Sequence, residues 1–308
     1  MKQLRIAIVG MGKIAHDQHV PAIAANPAFK LVAVASPHHQ HPGVPSFHSL
    51  NELLHAVPDI DAVSVCTPPQ LRYDIAWHAL NHRKHVLLEK PPGATLSEVQ
   101  SLVELAERRN VTLFATWHSR EAAAVEAARG WLASRRIQRV RVTWKEDVRV
   151  WHPGQAWIWT AGGLGVFDPA INALSILTAI MPGAVMLREA TLRFPANCET
   201  PCAARLLMND ESGAAIDADL DFLQPGAPTW DIAIDTDTGH LLLSKGGSTM
   251  YVDGHSIVES TDHEYPRLYS HFAQLARERR IDVDVSPLRL VADAFLIGKR
   301  VTTAPFVE

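Results

Sequence analysis

The segment Leu4-Arg5-Ile6-Ala7-Ile8-Val9-Gly10-Met11-Gly12-Lys13-Ile14-Ala15 joins an almost continuous apolar run to the pattern G-x-G-x-x-A. The run reads as a strand buried on both faces, which is the signature of a parallel sheet. Gly10 permits a tight turn, Gly12 lets the backbone approach a pyrophosphate, and Ala15 is small enough for close helix–strand packing. The helix that follows offers the unpaired N–H groups of its first turn to phosphates. A glycine pattern alone is a weak signal. Set between a strand and a helix, it predicts a dinucleotide site with Gly10, Gly12, Lys13 and Ile14 as contacts.

The alternation continues downstream. Residues 30–35 read as a second strand ending at Ser36-Pro37-His38-His39, where an acidic residue would bind the adenine ribose and repel a 2′-phosphate. Ser36 and His38 stand there instead, so NADP is tolerated and NAD is not excluded. Residues 61–66 form a third strand running into Thr67-Pro68-Pro69, with Thr67 and Pro68 expected over the dinucleotide. A helix over 71–81 leads to a fourth strand at 85–88, which delivers Glu89-Lys90-Pro91-Pro92 to the ligand-binding edge of the sheet. The prolines cannot continue the ladder and fix the aim of Lys90, with a Lys-Pro bond that could be cis. A lysine so held can polarise a hydroxyl or shuttle its proton, and Glu89 joins it as a cofactor-edge residue. Taken alone, the stretch is an ordinary solvated βα turn; the upstream fingerprint gives it weight. A helix over 96–109 and a strand over 112–115 close a doubly wound Rossmann unit at about residue 118. His118, at the edge of the fifth strand, reads either as a neighbour of substrate and nicotinamide or as a structural histidine.

From residue 137 the pattern changes. Val140, Val142 and Trp144 alternate with Arg139, Arg141 and Thr143, as on a half-buried strand. Glu146 follows, then Trp151-His152-Pro153 and a Gly-rich turn, before Phe167-Asp168-Pro169-Ala170-Ile171-Asn172 opens a long apolar helix. Asp168 and Asn172 are four apart and share a face near its start, where Asp168 is equally readable as an N-cap. Short β-runs then alternate with turns up to residue 252, predicting a C-terminal α+β domain with a large, mostly antiparallel open sheet. One face of that sheet is expected to be covered by the Asp168 helix and the other by a second copy, giving a homodimer. Helices over 266–280 and 287–301 end the chain, the last expected to return to the first domain.

Composition narrows the function classes. The 308 residues suit two domains, 1–118 and 119–308, and a hydrophobic content of 47% is ample for their cores. A net charge of -4 supplies no basic excess, so nucleic acid and anionic membrane surfaces are poor partners. Cys66, Cys198 and Cys202 are too sparse for zinc, and His38, His39 and His41 lack spaced partners, so no metal site is expected. A reduced, cytoplasmic compartment fits these cysteines. There is neither a signal-peptide layout nor an apolar run of membrane-spanning length.

The N-terminal fingerprint, Glu89-Lys90-Pro91 and the mixed second half resemble the glucose–fructose oxidoreductase / inositol dehydrogenase / rhizopine-catabolism family over essentially the whole chain. Three runs are similar to a narrower group, the bacterial D-galactose and L-arabinose 1-dehydrogenases: 144–149, 151–159, and 165–169 with 172–175. The resemblance implies an NAD(P)-dependent enzyme that oxidises an aldose at C1 to the aldonolactone, with Lys90, Glu146, His152, Asp168 and Asn172 around the sugar. Many members of the broader family carry a histidine base where Asn172 stands, and an amide cannot usefully accept a proton. Asp168 is the first choice of base, with Lys90 polarising the hydroxyl and Asn172 holding it; Lys90 itself is the alternative. Trp151 and Trp230 could stack an apolar sugar face or pack the core. Two rivals remain, an enzyme acting on inositol or another polyol and a non-catalytic dinucleotide-binding regulator. Asn172 argues against the first and the intact polar set against the second.

Overall fold

The computed structural model describes residues 3–260 and 263–307. The chain divides into two compact units, residues 1–118 with 265–285, and residues 119–264 with 286–308.

The first unit holds a six-stranded sheet made from β1 (Leu4–Val9), β2 (Phe29–Ala35), β3 (Ser46–Phe47), β4 (Ala62–Val65), β5 (His85–Leu88) and β6 (Leu113–Ala115). The order is β3-β2-β1-β4-β5-β6, and every pairing is parallel. Side chains on β1 alternate between two cores. Ala7 and Val9 join Leu80, Leu102 and Leu105 on one face, whereas Ile6 and Ile8 join Ile23, Leu268 and Phe272 on the other. Each of these large side chains is almost fully buried, stabilising the unit by roughly 1.5–3 kcal/mol. Strand order reverses between β1 and β4, the place where open α/β sheets bind ligands. Gly10, Ser36, Thr67 and Glu89-Lys90 all follow the carboxyl ends of their strands.

The helix that covers the second face of this sheet is Glu264–Glu278, not the last one. Its apolar positions Tyr265, Leu268, Tyr269, Phe272 and Leu275 recur at helical spacing and are all buried. The Thr112 hydroxyl donates to the Leu275 carbonyl at 2.9 Å, and the Trp117 indole N–H to that of Asp284 at 2.8 Å. The expectation that the final helix returns to the first unit is therefore corrected. Helix Ser286–Ile297 stays with the second unit, packed on helix Phe167–Ile180 and strand Val185–Pro195, and the chain then turns into a strand.

The second unit carries a nine-stranded mixed sheet made from β7 (Ile137–Lys145), β8 (Val185–Pro195), β9 (Ala203–Asp210), β10 (Ala215–Asp221), β11 (Thr229–Thr236), β12 (Gly239–Ser244), β13 (Thr249–Val252), β14 (His255–Glu259) and β15 (Lys299–Thr303). Its order is β14-β13-β12-β11-β7-β10-β9-β8-β15, antiparallel except for β7 with β10 and β8 with β15. Val140, Val142 and Trp144 point inward, against helices that include Phe167–Ile180. The other face is not an apolar patch. Arg141 pairs in register with Asp217, Arg205 bridges Asp217 at 2.9 Å, and Lys145 bridges Asp219. Such a face can meet water, so hydrophobicity alone does not require a cover.

Helix Phe167–Ile180 is buried almost all round. Its start is pinned by Val166 N–H to the Pro201 carbonyl at 2.7 Å and Gly165 N–H to the Ile158 carbonyl at 3.1 Å. Gly165 has φ +55°, and a Cβ there would collide with the Pro201 carbonyl oxygen. Gly154 also has a positive φ, +69°, but a Cβ there meets nothing within 4 Å. Gly165→Ala should therefore lower Tm by about 4–8 °C, from roughly 2 kcal/mol of overpacking at about 2–4 °C per kcal/mol. Gly154→Ala should cost only its backbone strain, and equal melting shifts for the two variants would contradict this.

Candidate active site

In the first unit the dinucleotide fingerprint is built as its residues dictate. Gly10 has φ +93°, and a Cβ there would lie 2.8 Å from the Thr67 nitrogen, so only glycine fits. A Cβ on Gly12 meets nothing within 4 Å, which leaves the backbone open to an incoming phosphate. The Thr67 hydroxyl is buried and bonds to no described protein group, a polar atom suited to a ligand. The main chain runs through Lys13 and Ile14 into a π-helical turn, Ala15–His19, before Val20–Ala25 resumes α geometry with Pro21 in its first turn. Lys13 pairs with Asp17 on the surface. Beyond β2, Ser36 N–H donates to the Phe47 carbonyl at 2.8 Å and His38 is exposed. Pro68 precedes helix Pro69–Asn81. These groups fit a nicotinamide dinucleotide.

Lys90 follows β5, and the Lys90–Pro91 bond is cis. Its turn is tied from two sides. Arg72 donates to the carbonyls of Glu89 (2.6 Å), Thr67 (2.7 Å) and Pro91. Glu89 is buried, and its carboxylate accepts from the Lys90 N–H at 2.8 Å, from Tyr265 Oη at 2.7 Å and faces His19 Nε2 at 2.9 Å. Its side chain therefore turns into the protein. Burial alone would raise the Glu89 pKa; the hydrogen bond and charge of His19, with His118 and Arg72, hold it far below the usual carboxylate range. The His118 ring stacks on Tyr265 with centroids 5.5 Å apart.

In the second unit four predicted residues come together. Glu146 leaves the end of β7 buried, and its Oε2 accepts from Trp230 Nε1 at 2.8 Å. His152 Nε2 lies 3.3 Å from Glu146 Oε1, and His152 Nδ1 lies 3.6 Å from Asp168 Oδ2. One imidazole thus bridges two buried carboxylates while its side chain stays 20% exposed. Asp147 places it by accepting from Arg149 N–H at 3.0 Å, capping the short helix Val148–Trp151. Asp168 is no N-cap: Val166 holds that position, and Asp168 sits in the first turn, where the helix dipole favours a carboxylate. Asn172 lies one turn on, half-buried. Trp230 gives its N–H to Glu146, and its ring packs on Trp144 and Trp151. Trp151 keeps 41% of its surface exposed while its ring meets that of Trp230 at a centroid distance of 5.0 Å. Beside His152 lies a cleft of about 290 Å³ lined by Arg149, Gln155, Trp159, Asn197 and Phe306.

His19, Arg72, Tyr265 and Tyr269 were not legible as site residues. A histidine set just before the apolar stretch Val20–Ala25, and two tyrosines one helical turn apart, were the signals on offer.

Comparison with known proteins supplies the lineage. Residues 4–116 match the family model described as an oxidoreductase family with an NAD-binding Rossmann fold, GFO/IDH/MocA. Over 308 residues, all of both chains, the sequence is 47% identical to galactose 1-dehydrogenase of Pseudomonas fluorescens. The chain belongs to the GFO/IDH/MocA oxidoreductase family. A crystal structure of D-galactose-1-dehydrogenase from Rhizobium etli is 52% identical and superposes with a TM-score of 0.96 over 100% of this chain and 99% of that one. A 3-ketoreductase from Actinomadura kijaniata, in complex with NADP, is 18% identical with a TM-score of 0.83 and shares the fold. This GFO/IDH/MocA member is thus an oxidoreductase of an NAD-binding family, as the fingerprint predicts.

Because Gly12 has room for a methyl group and Gly10 does not, the two glycines separate cofactor approach from folding. Gly12→Ala should melt within about 1 °C of wild type, as a surface change does, yet bind the reduced dinucleotide at least about tenfold more weakly by fluorescence titration. Unchanged affinity would remove Gly12 from the phosphate site.

Proposed function

We propose that this chain oxidises a galacto-configured aldose at C1 to the aldonolactone, using NAD or NADP. The observation that carries this reading is the linked set Trp230, Glu146, His152 and Asp168, held in a chain similar over its full length to a galactose 1-dehydrogenase. When bound, the nicotinamide dinucleotide supplies the hydride acceptor. The remaining chemistry falls to side chains. Asp168 takes the proton of the anomeric hydroxyl, and His152 stands between its carboxylate, 3.6 Å away, and that of Glu146, 3.3 Å away. Lys90, aimed by its doubly tied turn, polarises the hydroxyl, and Asn172 holds it by hydrogen bonds. Glu146 and His152 read the sugar hydroxyls, and the exposed ring of Trp151 stacks on an apolar sugar face. D-Galactose, L-arabinose and D-fucose share their configuration at C2 to C4, so one polar set suits all three. Discrimination at C5 is worth only about 1–3 kcal/mol. With Ser36 and His38 after β2 and no acidic group between them, both dinucleotides are accommodated.

The second reading, Lys90 as the base, is favoured by the amide at Asn172. Asp168→Asn separates the two. With Asp168 as base, kcat falls about 10²–10⁴-fold while dinucleotide affinity holds, and product analysis of the wild type identifies the 1,5- or 1,4-lactone. Near-wild-type turnover by the variant would transfer the role to Lys90. We further propose that two copies pair through the charged sheet face bearing Arg141, Arg205 and Asp217. Light scattering should then give twice the mass of one chain, and the Arg141→Glu/Arg205→Glu variant should give the mass of one.

A further inference from the structure

The residue linking the dinucleotide turn to the lysine turn is a histidine with no access to water. His19 ends the π-helical turn Ala15–His19, a rare geometry that often marks functional sites and here directs its ring into the core. Both ring nitrogens are engaged. Nε2 lies 2.9 Å from Glu89 Oε1, and Nδ1 lies 2.7 Å from Tyr269 Oη and 3.2 Å from Ser64 Oγ. The Tyr269 hydroxyl itself donates to Ser64 at 3.3 Å, which leaves its oxygen to accept from His19. An ionised Glu89 can only accept. Nε2 of His19 thus faces an acceptor, and Nδ1 faces two hydroxyls.

The groups around this centre come from every packed element: Ser64 on β4 and Cys66 after it, Glu89 after β5, and Tyr265 and Tyr269 from helix Glu264–Glu278. His118 stacks behind Tyr265, and Arg72 lies on the carbonyl side of the turn. Burial works against protonation of the ring; Cys66, Tyr269 and Glu89 outweigh it and raise the His19 pKa well above its ordinary value. An internal charge pair is costly to form but costlier to break, so it specifies one arrangement of the groups it joins.

We propose that His19 is a positioning residue that fixes the aim of Lys90 by holding the Glu89 carboxylate, whose other oxygen receives the Lys90 N–H. The effect on turnover rests on the role given to Lys90 above; the effect on the lysine itself does not. Three measurements on the full chain read it. His19→Gln keeps a neutral donor toward Glu89 and loses the charge. It should lower kcat at least about tenfold with a smaller change in sugar KM, since misplacement of a reacting group is costly. It should also change the acylation rate of the Lys90 amine, relative to that of exposed Lys30, at least about threefold by mass spectrometry. The double variant His19→Gln/Glu89→Gln, a neutral pair, should recover most of the lost kcat.

Stability supplies the third readout. Glu89, with its pKa depressed, contributes stability above its ordinary 4.5 that is lost as pH falls; His19, with its pKa raised, contributes below its ordinary 6.5 and loses that contribution as pH rises. The Tm gap between wild type and His19→Gln should therefore be widest between pH 4.5 and 6.5. A variant with wild-type kcat and Lys90 labelling, whatever its Tm, would overturn the proposal and leave His19 a core residue. A wild type silent on every sugar, with Lys90 labelling still altered in His19→Gln, would overturn the sugar assignment and support this one.

Discussion

A carboxylate removed from water must find its donors inside the protein, and in the first unit everything near the lysine turn follows from how Glu89 does so. Three donors converge on it: the imidazole that follows the glycine turn, a tyrosine from a helix 176 positions later in the chain, and the N–H of the next residue, Lys90. Arg72 then gathers the carbonyls that the turn leaves exposed. Removing any single donor leaves a buried charge under-satisfied, at a cost of several kcal/mol. The glycine turn, the lysine turn and residues 265–278 lie in one unit, although the chain leaves and re-enters it.

The second unit solves a different problem with the same means. Its sheet hides Val140, Val142 and Trp144 on one face and spends the other on paired charges. Where β7 runs out, Glu146 is turned into the interior and kept there by Trp230 and His152. Helix Phe167–Ile180 delivers Asp168 to the same imidazole, its start held by Gly165 N–H on the Ile158 carbonyl and Val166 N–H on that of Pro201. Backbone constraint and polar satisfaction therefore set the geometry of the carboxylates together.

What the sequence made legible follows the range of the interaction concerned. The β1 fingerprint, the strand before Lys90 and the Asp168 helix are local patterns, and each lies where its periodicity placed it. Strand Ser46–Phe47 is too short to show a period, and β15 was absorbed into the apolar tail of the helix before it. The last two helices are both amphipathic, and a hydrophobic stripe does not name the surface that it will cover. His19 and Tyr265 were invisible as site residues for a related reason: their meaning lies in contacts spanning 70 and 176 positions. Family resemblance points to Glu146, His152 and Asp168, and the structure adds that one imidazole lies between the two carboxylates while Trp230 donates to Glu146.

The central claim is that this oxidoreductase acts on C1 of a galacto-configured sugar. Its most direct test is the growth of reduced-dinucleotide absorbance, with NAD and NADP each offered D-galactose, L-arabinose, D-fucose, D-glucose and myo-inositol. Turnover of the first three sugars well above the last two is the predicted result. Turnover confined to myo-inositol, or none at all beside measurable dinucleotide binding, would contradict the account.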